Sequence, residues 1–263
     1  MSEARAVRTV DRFFSEYLGC DIGEIGQGEI RIAASERRYD REMGYASVFA
    51  VWILVAGNRC AISVQPPLLD HIPEVDPEKY RRLGFQESLV RKASDALGKE
   101  LTISCGPAFY CTPESFRARR LHPCRQVIAA DLPSLTGIVG DYHGLEQSIR
   151  EGTCFAAMKA EKPVSVSGTH AVPHLADEIA DMNVPGTLEA NRGQGFGKTA
   201  VSATTEAILA QGKVPIYMTS DGNIASIRTA RSVGYVDYGW QLRLSYCPEY
   251  WEGQNDESPD IIL

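Results

Sequence analysis

Between a strand pattern and a helix pattern the chain reads Arg192-Gly193-Gln194-Gly195-Phe196-Gly197-Lys198-Thr199. Glycines at alternate positions let the backbone turn tightly and present successive amide N–H groups at a helix N-terminus. Unpaired donors and the helix dipole there favour a phosphate. The spacing sorts the ligands such a loop can take. A nucleoside-triphosphate loop needs glycine five residues before its Gly-Lys-Thr, and that position is Arg192. A dinucleotide fingerprint, GxGxxG, belongs to the first strand of a βαβ unit, whereas this GxGxG run follows several antiparallel-looking strands. The pyrophosphate of coenzyme A is the ligand left.

A second stretch of interest runs from Asn223 and Ser226 at a helix start to Gly234-Tyr235 at its end. Asparagine is among the best helix N-caps, and a capping role is compatible with a ligand contact. Ser226 and Tyr235 read equally well as a first-turn polar residue and a core aromatic. Asp181 and Glu189 are the carboxylates on the strand side of the glycine loop, and His170 and His174 precede that strand. Each becomes a base only where its surroundings tune it; otherwise it is a surface or packed side chain. The seven cysteines include no CxxC pair, so neither a disulfide framework nor a metal site is expected. They read as reduced, mostly buried thiols.

Helical spacing marks Val7–Leu18, and apolar runs at 46–55 and 60–64 flank Gly57-Asn58 as a hairpin. Asp76-Pro77 opens an amphipathic helix that closes at Gly98, and 101–104 reads as a strand ending before Gly106-Pro107. The basic stretch Phe116–Arg120 with His122-Pro123 lacks periodicity and is read as a solvated linker. Beyond it come a strand at 126–130, a helix over 135–149, strands at 154–159, 164–168 and 179–188, a helix over 198–211 closed by Gly212, a strand at 214–219, a helix over 223–233 closed by Gly234, and a strand at 238–246. Pro185-Gly186 interrupts the strand at 179–188 and suits a bulge or an edge. The acidic end, Trp251–Leu263, reads as a loose tail or a docked strand.

At 263 residues with 44% hydrophobic and 23% charged residues, two globular domains are expected, here 1–123 and 124–263. A net charge of −7 disfavours nucleic acid as a partner. No stretch reaches the roughly 18 apolar residues of a membrane span, so a cytoplasmic protein without membrane contact is expected.

Arg192–Gly197 fits the [RQ]xxGx[GA] acyl-CoA signature, and Asn223-Ile-Ala-Ser226 with Gly234-Tyr235 is similar to the second motif of the same family. On these motifs and the element order over 125–246, the C-terminal half resembles the GNAT superfamily of N-acetyltransferases. The resemblance implies an α+β protein whose C-terminal domain is a mixed, mostly antiparallel central sheet flanked by helices. A smaller α+β domain precedes it, read as a cover over the substrate or as a degenerate copy of the same fold. It implies acetyl-CoA as co-substrate and no metal. Transfer of acetyl from the thioester to a primary amine of a small molecule or peptide follows, and a homodimer is compatible with this reading. By the same resemblance Val184, Thr187 and Leu188 line the pantetheine arm. Arg192, Gly193, Gln194, Gly195, Gly197, Lys198 and Thr199 hold the pyrophosphate, and Asn223 and Ser226 complete the cofactor site. Asp181 is the implied base, with Glu189 second. The position at which many members carry a proton-donating tyrosine is Ala230, which leaves Ser226, Tyr217 or water for the thiolate. That departure keeps open a non-catalytic acyl-CoA-binding sensor or interaction module, with a P-loop nucleotide enzyme behind it.

Overall fold

The computed structural model describes residues 2–40, 47–139, 145–170, 172 and 174–247; the tail expected at 251–263 lies outside them. In chain order the elements are α1 (Glu3–Leu18), β1 (Ile30–Ala34), β2 (Val48–Ala56), β3 (Arg59–Val64), α2 (Leu83–Leu97), β4 (Thr102–Tyr110), β5 (Cys124–Gln126), α3 (Leu132–Val139), α4 (Leu145–Arg150), β6 (Phe155–Lys159), β7 (Lys162–His170), β8 (Ile179–Thr187), α5 (Phe196–Ala210), β9 (Val214–Met218), α6 (Ile224–Val233) and β10 (Val236–Tyr246). They form two compact units. The first comprises Met1–Val10, Phe109–Met218 and Asn223–Asp237; the second comprises Asp11–Ala108, Thr219–Gly222 and Tyr238–Leu263. A cut at 123/124 falls inside the first unit.

The first unit carries a sheet in the order β9-β8-β7-β6-β5. Its pairs are antiparallel from β5 to β8 and parallel between β8 and β9. Parallel neighbours need a crossover, and α5 supplies it. Val201 and Ile208 of α5 and Ala230 and Val233 of α6 pack on Ala180, Met182 and Tyr217 of the sheet. Leu135 and Leu145, from α3 and α4, join Ala156 and Val166 in a separate core cluster. The mixed, mostly antiparallel sheet flanked by helices is thus present. Glycines end its helices: Gly212 (φ 76°) follows α5, and Gly234 (φ 103°) follows α6 with its N–H bonded near the helix end.

Two irregularities in β8 shape this unit. Val166 pairs with Gly186 and Gly168 with Asn183, so residues 184 and 185 together oppose Ser167 in a β-bulge, and Gly186 follows at φ 142°. Pairing with β9 runs only from Ile179↔Val214 to Asp181↔Ile216, although β8 continues to Thr187 and β9 to Met218. Among the described residues the two strands therefore fork after Asp181.

The second unit has strands in the order β1-β3-β2-β10-β4. One face is apolar, with Val51, Ile53, Ile62, Leu242 and Leu244 against Leu89 and Ala93 of α2. Trp52 and Tyr238 meet α1 aromatics, with Phe14 and Tyr238 stacked at 5.3 Å.

Several boundaries differ from the sequence reading. Asp76 caps a 3-10 turn (Pro77–Arg81), accepting from Glu78 N–H, and α2 starts separately at Leu83. β4 runs on through Gly106-Pro107, because a Cβ on Gly106 would lie 2.0 Å from Thr219 O and only glycine admits that backbone. The strand expected at 126–130 is Cys124–Gln126 followed by a 3-10 turn, and the helix at 135–149 is replaced by α3 and α4.

Candidate functional site

The glycine loop joins the forked strand β8 to α5. Gly193 (φ 73°) and Gly195 (φ 91°) are left-handed, and Gly195 is the N-cap of α5. The first intrahelical bond there is Thr199 N–H to Gly195 O at 3.1 Å. The N–H groups of Phe196, Gly197 and Lys198 precede it and are left for an external acceptor. Gly197 brings α5 close to β8, since a Cβ there would sit 3.3 Å from Thr187 Oγ1. Thr187 and Ser165 share a hydroxyl contact at 2.7 Å, and Ser165 donates to Gly186 O at 3.0 Å. Arg192 is exposed, with Nε donating to Thr187 O at 3.3 Å, while Lys198 is half-buried. Gln194 Nε2 donates to Ala190 O at 2.9 Å and ties the loop to its own entry turn. The loop thus presents the start of α5 with Arg192 and Lys198 beside it, a geometry whose amide N–H groups and charges favour an anion.

The basic segment read as a solvated linker is instead laid along α5. Arg117 N–H bonds Val233 O, Arg119 N–H bonds Ser202 Oγ, and Leu121 N–H bonds Thr199 Oγ1. Arg120 pairs with Glu206, both partners largely exposed. The segment ends at the glycine loop. The His122 ring stacks on Phe196 at 3.7 Å and 16°, and its Nε2 lies 2.8 Å from Gln194 O. A Cβ on Gly195 would meet Leu121 Cδ1 at 2.7 Å. Sequence reasoning missed these residues because the segment has no periodicity and its partners lie roughly 80 residues away.

At the fork, Asp181 is buried (1% exposed) and forms the last β8–β9 pair, with Ile216. It stands directly opposite His170 on β7, a spacing at which cross-strand side chains interact. Burial pushes the His170 imidazole down to about 4, so it is neutral at pH 7. Tyr217 follows Ile216 on β9, and its hydroxyl lies 2.6 Å from Ser226 Oγ. Burial pushes the Tyr217 phenol up to about 12, against the opposing effect of Ser226. Asn223 Oδ1 accepts from Ser226 N–H at 3.1 Å, the cap expected for α6. Ala230 is fully buried in the core.

The structure thus gathers Thr187, Leu188 and residues 192–199 at one end of β8; Asp181 stands at the fork, and Tyr217 and Ser226 meet each other on β9 and α6. Val184 lies in the bulge. Glu189 is exposed in the turn entering the loop, where its carbonyl takes Arg192 N–H at 3.1 Å. His174 lies outside the strands, five residues before β8. Among the described residues no group of three or more His, Cys, Asp or Glu side chains is placed to hold a metal ion, and no helix is long and apolar enough to cross a membrane.

No family profile and no curated protein matches the chain. Solved structures do. A GNAT-family acetyltransferase from Colwellia psychrerythraea aligns at 15% identity and TM-score 0.46, covering 62% of each chain. A GCN5-related N-acetyltransferase from Kribbella flavida aligns at 20% identity and TM-score 0.46, covering 61% of this chain and 65% of its own. Each of these two alignments spans less than two thirds of the matched protein. A GCN5-related N-acetyltransferase-like protein from Streptococcus suis aligns at 16% identity and TM-score 0.44, covering 92% of this chain and all of its own.

Proposed function

We propose that the first unit binds acetyl-CoA at the glycine loop and transfers the acetyl group to a primary amine of a small molecule or peptide. The observation that carries this reading is the combination of a forked strand pair with an anion-binding helix start at the end of the forked strand. Among the described residues the β8–β9 pairs end at Asp181 while β8 runs on to Thr187, a stretch suited to run beside the amide-bearing pantetheine arm, and the amides of residues 196–198 take the pyrophosphate. The reaction forms an N–C bond and breaks the C–S bond, with one proton leaving the amine and one reaching the thiolate. Asp181, buried at the fork, takes the ammonium proton so that a neutral amine attacks. Neutral His170 opposite it adds no competing positive charge. Ser226, its hydroxyl held by Tyr217, passes a proton to the thiolate and is reprotonated by the second proton, which the nitrogen sheds after attack. Thiol release from acetyl-CoA, followed over a panel of amines, tests this reading; no amine-dependent release would refute it.

The second reading, an acyl-CoA-binding sensor, is favoured by Ala230, which places an inert methyl where a proton donor is expected by resemblance. It predicts tight CoA binding and no turnover with any amine.

A further inference from the structure

His122 is a half-buried imidazole on a segment remote in sequence from the glycine loop, yet it makes two contacts to that loop. The Gln194 carbonyl can only accept, so the contact at 2.8 Å makes His122 Nε2 the donor. In a trans peptide the C=O and the following N–H point in opposite directions. Holding the Gln194 oxygen on the His122 side therefore turns the Gly195 N–H to the other side of the peptide. This orientation needs the backbone freedom of Gly195, which sits at φ 91°. The stack on Phe196, the first residue of α5, fixes the ring from which the donor projects. Leu121 N–H on Thr199 Oγ1 anchors the segment one residue earlier.

We infer that His122 is a positioning residue for pyrophosphate binding: its Nε2–H clamps the Gln194 carbonyl and so sets the Gly195 amide as a phosphate donor. The inference rests on the acyl-CoA reading above and extends the site to a segment outside the strand–loop–helix. The ligand class is a diphosphate. A ligand lacking phosphate makes no use of the clamp.

Two substitutions separate the clamp from packing. His122→Phe keeps an aromatic ring on Phe196 and removes the donor; His122→Gln removes the ring and keeps an N–H donor. Titrations would use CoA, ADP as its diphosphate fragment, and pantetheine as its phosphate-free fragment. The expected result is five- to tenfold weaker binding of CoA and ADP to His122→Phe, unchanged pantetheine binding, and recovery of most of the loss in His122→Gln. Arg120→Gln, on the same segment, serves as a control and leaves all three affinities unchanged. Wild-type affinity for CoA in His122→Phe overturns the inference, as does an equal loss for pantetheine. If His122→Phe melts early, comparing His122→Gln with His122→Met asks the same question with the ring absent from both. Wild-type protein that ignores CoA would refute the acyl-CoA reading itself, and the clamp with it; wild-type binding with an indifferent His122→Phe would refute the clamp alone.

Discussion

Gly195→Ala should separate backbone strain from ligand binding, provided it is measured beside Gly212→Ala. Both glycines are left-handed, at φ 91° and 76°. Forcing an L residue there costs about 1–2 kcal/mol, and the stiffer unfolded chain returns about 0.4–1 kcal/mol. Each variant should therefore lose about 1 kcal/mol of stability. A Cβ at Gly212 meets nothing within 4 Å, whereas one at Gly195 comes too close, at 2.7 Å, to Leu121 Cδ1, the tip of a side chain 58% exposed and free to swing aside, and makes ordinary contact with His122 Nε2 at 3.7 Å. Stability alone will not distinguish the two. Affinity will, because distorting the N-cap of α5 misaligns the donors aimed at a charged phosphate, each worth about 1.5–3 kcal/mol. Loss of one such bond weakens CoA binding about ten- to 150-fold in Gly195→Ala and leaves Gly212→Ala at wild-type affinity. Urea denaturation and calorimetric titration with CoA supply both numbers. Equal CoA affinity in the two variants at matched stability would refute the cradle, and Gly195→Glu, which adds a negative charge, should abolish binding altogether.

Asp181→Asn should lower turnover by about 10²–10⁴ while CoA affinity stays at wild type, read by steady-state rates beside titration; an unchanged rate removes Asp181 from the chemistry. Ser226→Ala leaves the buried Tyr217 hydroxyl without its 2.6 Å partner and should cost about 1–3 kcal/mol in stability, which the double variant with Tyr217→Phe should largely recover. His170 carries a folded-state value lowered from 6.5 to about 4. Below pH 6.5 the unfolded chain binds a proton that the folded chain refuses, so stability falls as pH drops from 6.5 toward 4, by up to about 3 kcal/mol. Denaturation curves across that window should flatten in His170→Gln. Gly106→Ala in the second unit drives a Cβ to 2.0 Å from the Thr219 carbonyl oxygen and should destabilise by about 1–3 kcal/mol or more, seen as a lower melting temperature.

The glycine loop, α5, α6 and the β2–β3 hairpin were legible because their signals are local: φ-permissive glycines, an asparagine cap and short-range apolar patterning. The fork was foreshadowed only by Pro185-Gly186, since where β9 leaves β8 depends on pairing between distant segments. The 117–122 segment gave no periodic signal, and its charges pointed toward solvent, yet backbone N–H groups docking on Ser202 and Thr199 decided its path. Gly106-Pro107 looked like a strand end because both residues disfavour ladders; the close backbone approach of Thr219 explains the glycine. Ser226 was legible as a polar helix start, but its tie to Tyr217 was not.

The bulge in β8 changes which way its later side chains point. In a regular strand residues 181 and 187, an even number apart, would project from the same side. With 184 and 185 sharing one partner, Asp181 matches His170 while Thr187 matches Ser165, and His170 and Ser165 alternate to opposite sides of β7. One extra residue thus reverses the parity of the strand. The carboxylate projects from one surface of the sheet, and the threonine that meets Gly197 projects from the other. Straightening the strand with its six-residue spacing kept would bring acid and anion cradle to the same side, where a phosphate and a carboxylate would repel; deleting one residue at 184–185 would leave an odd spacing and keep them on opposite sides.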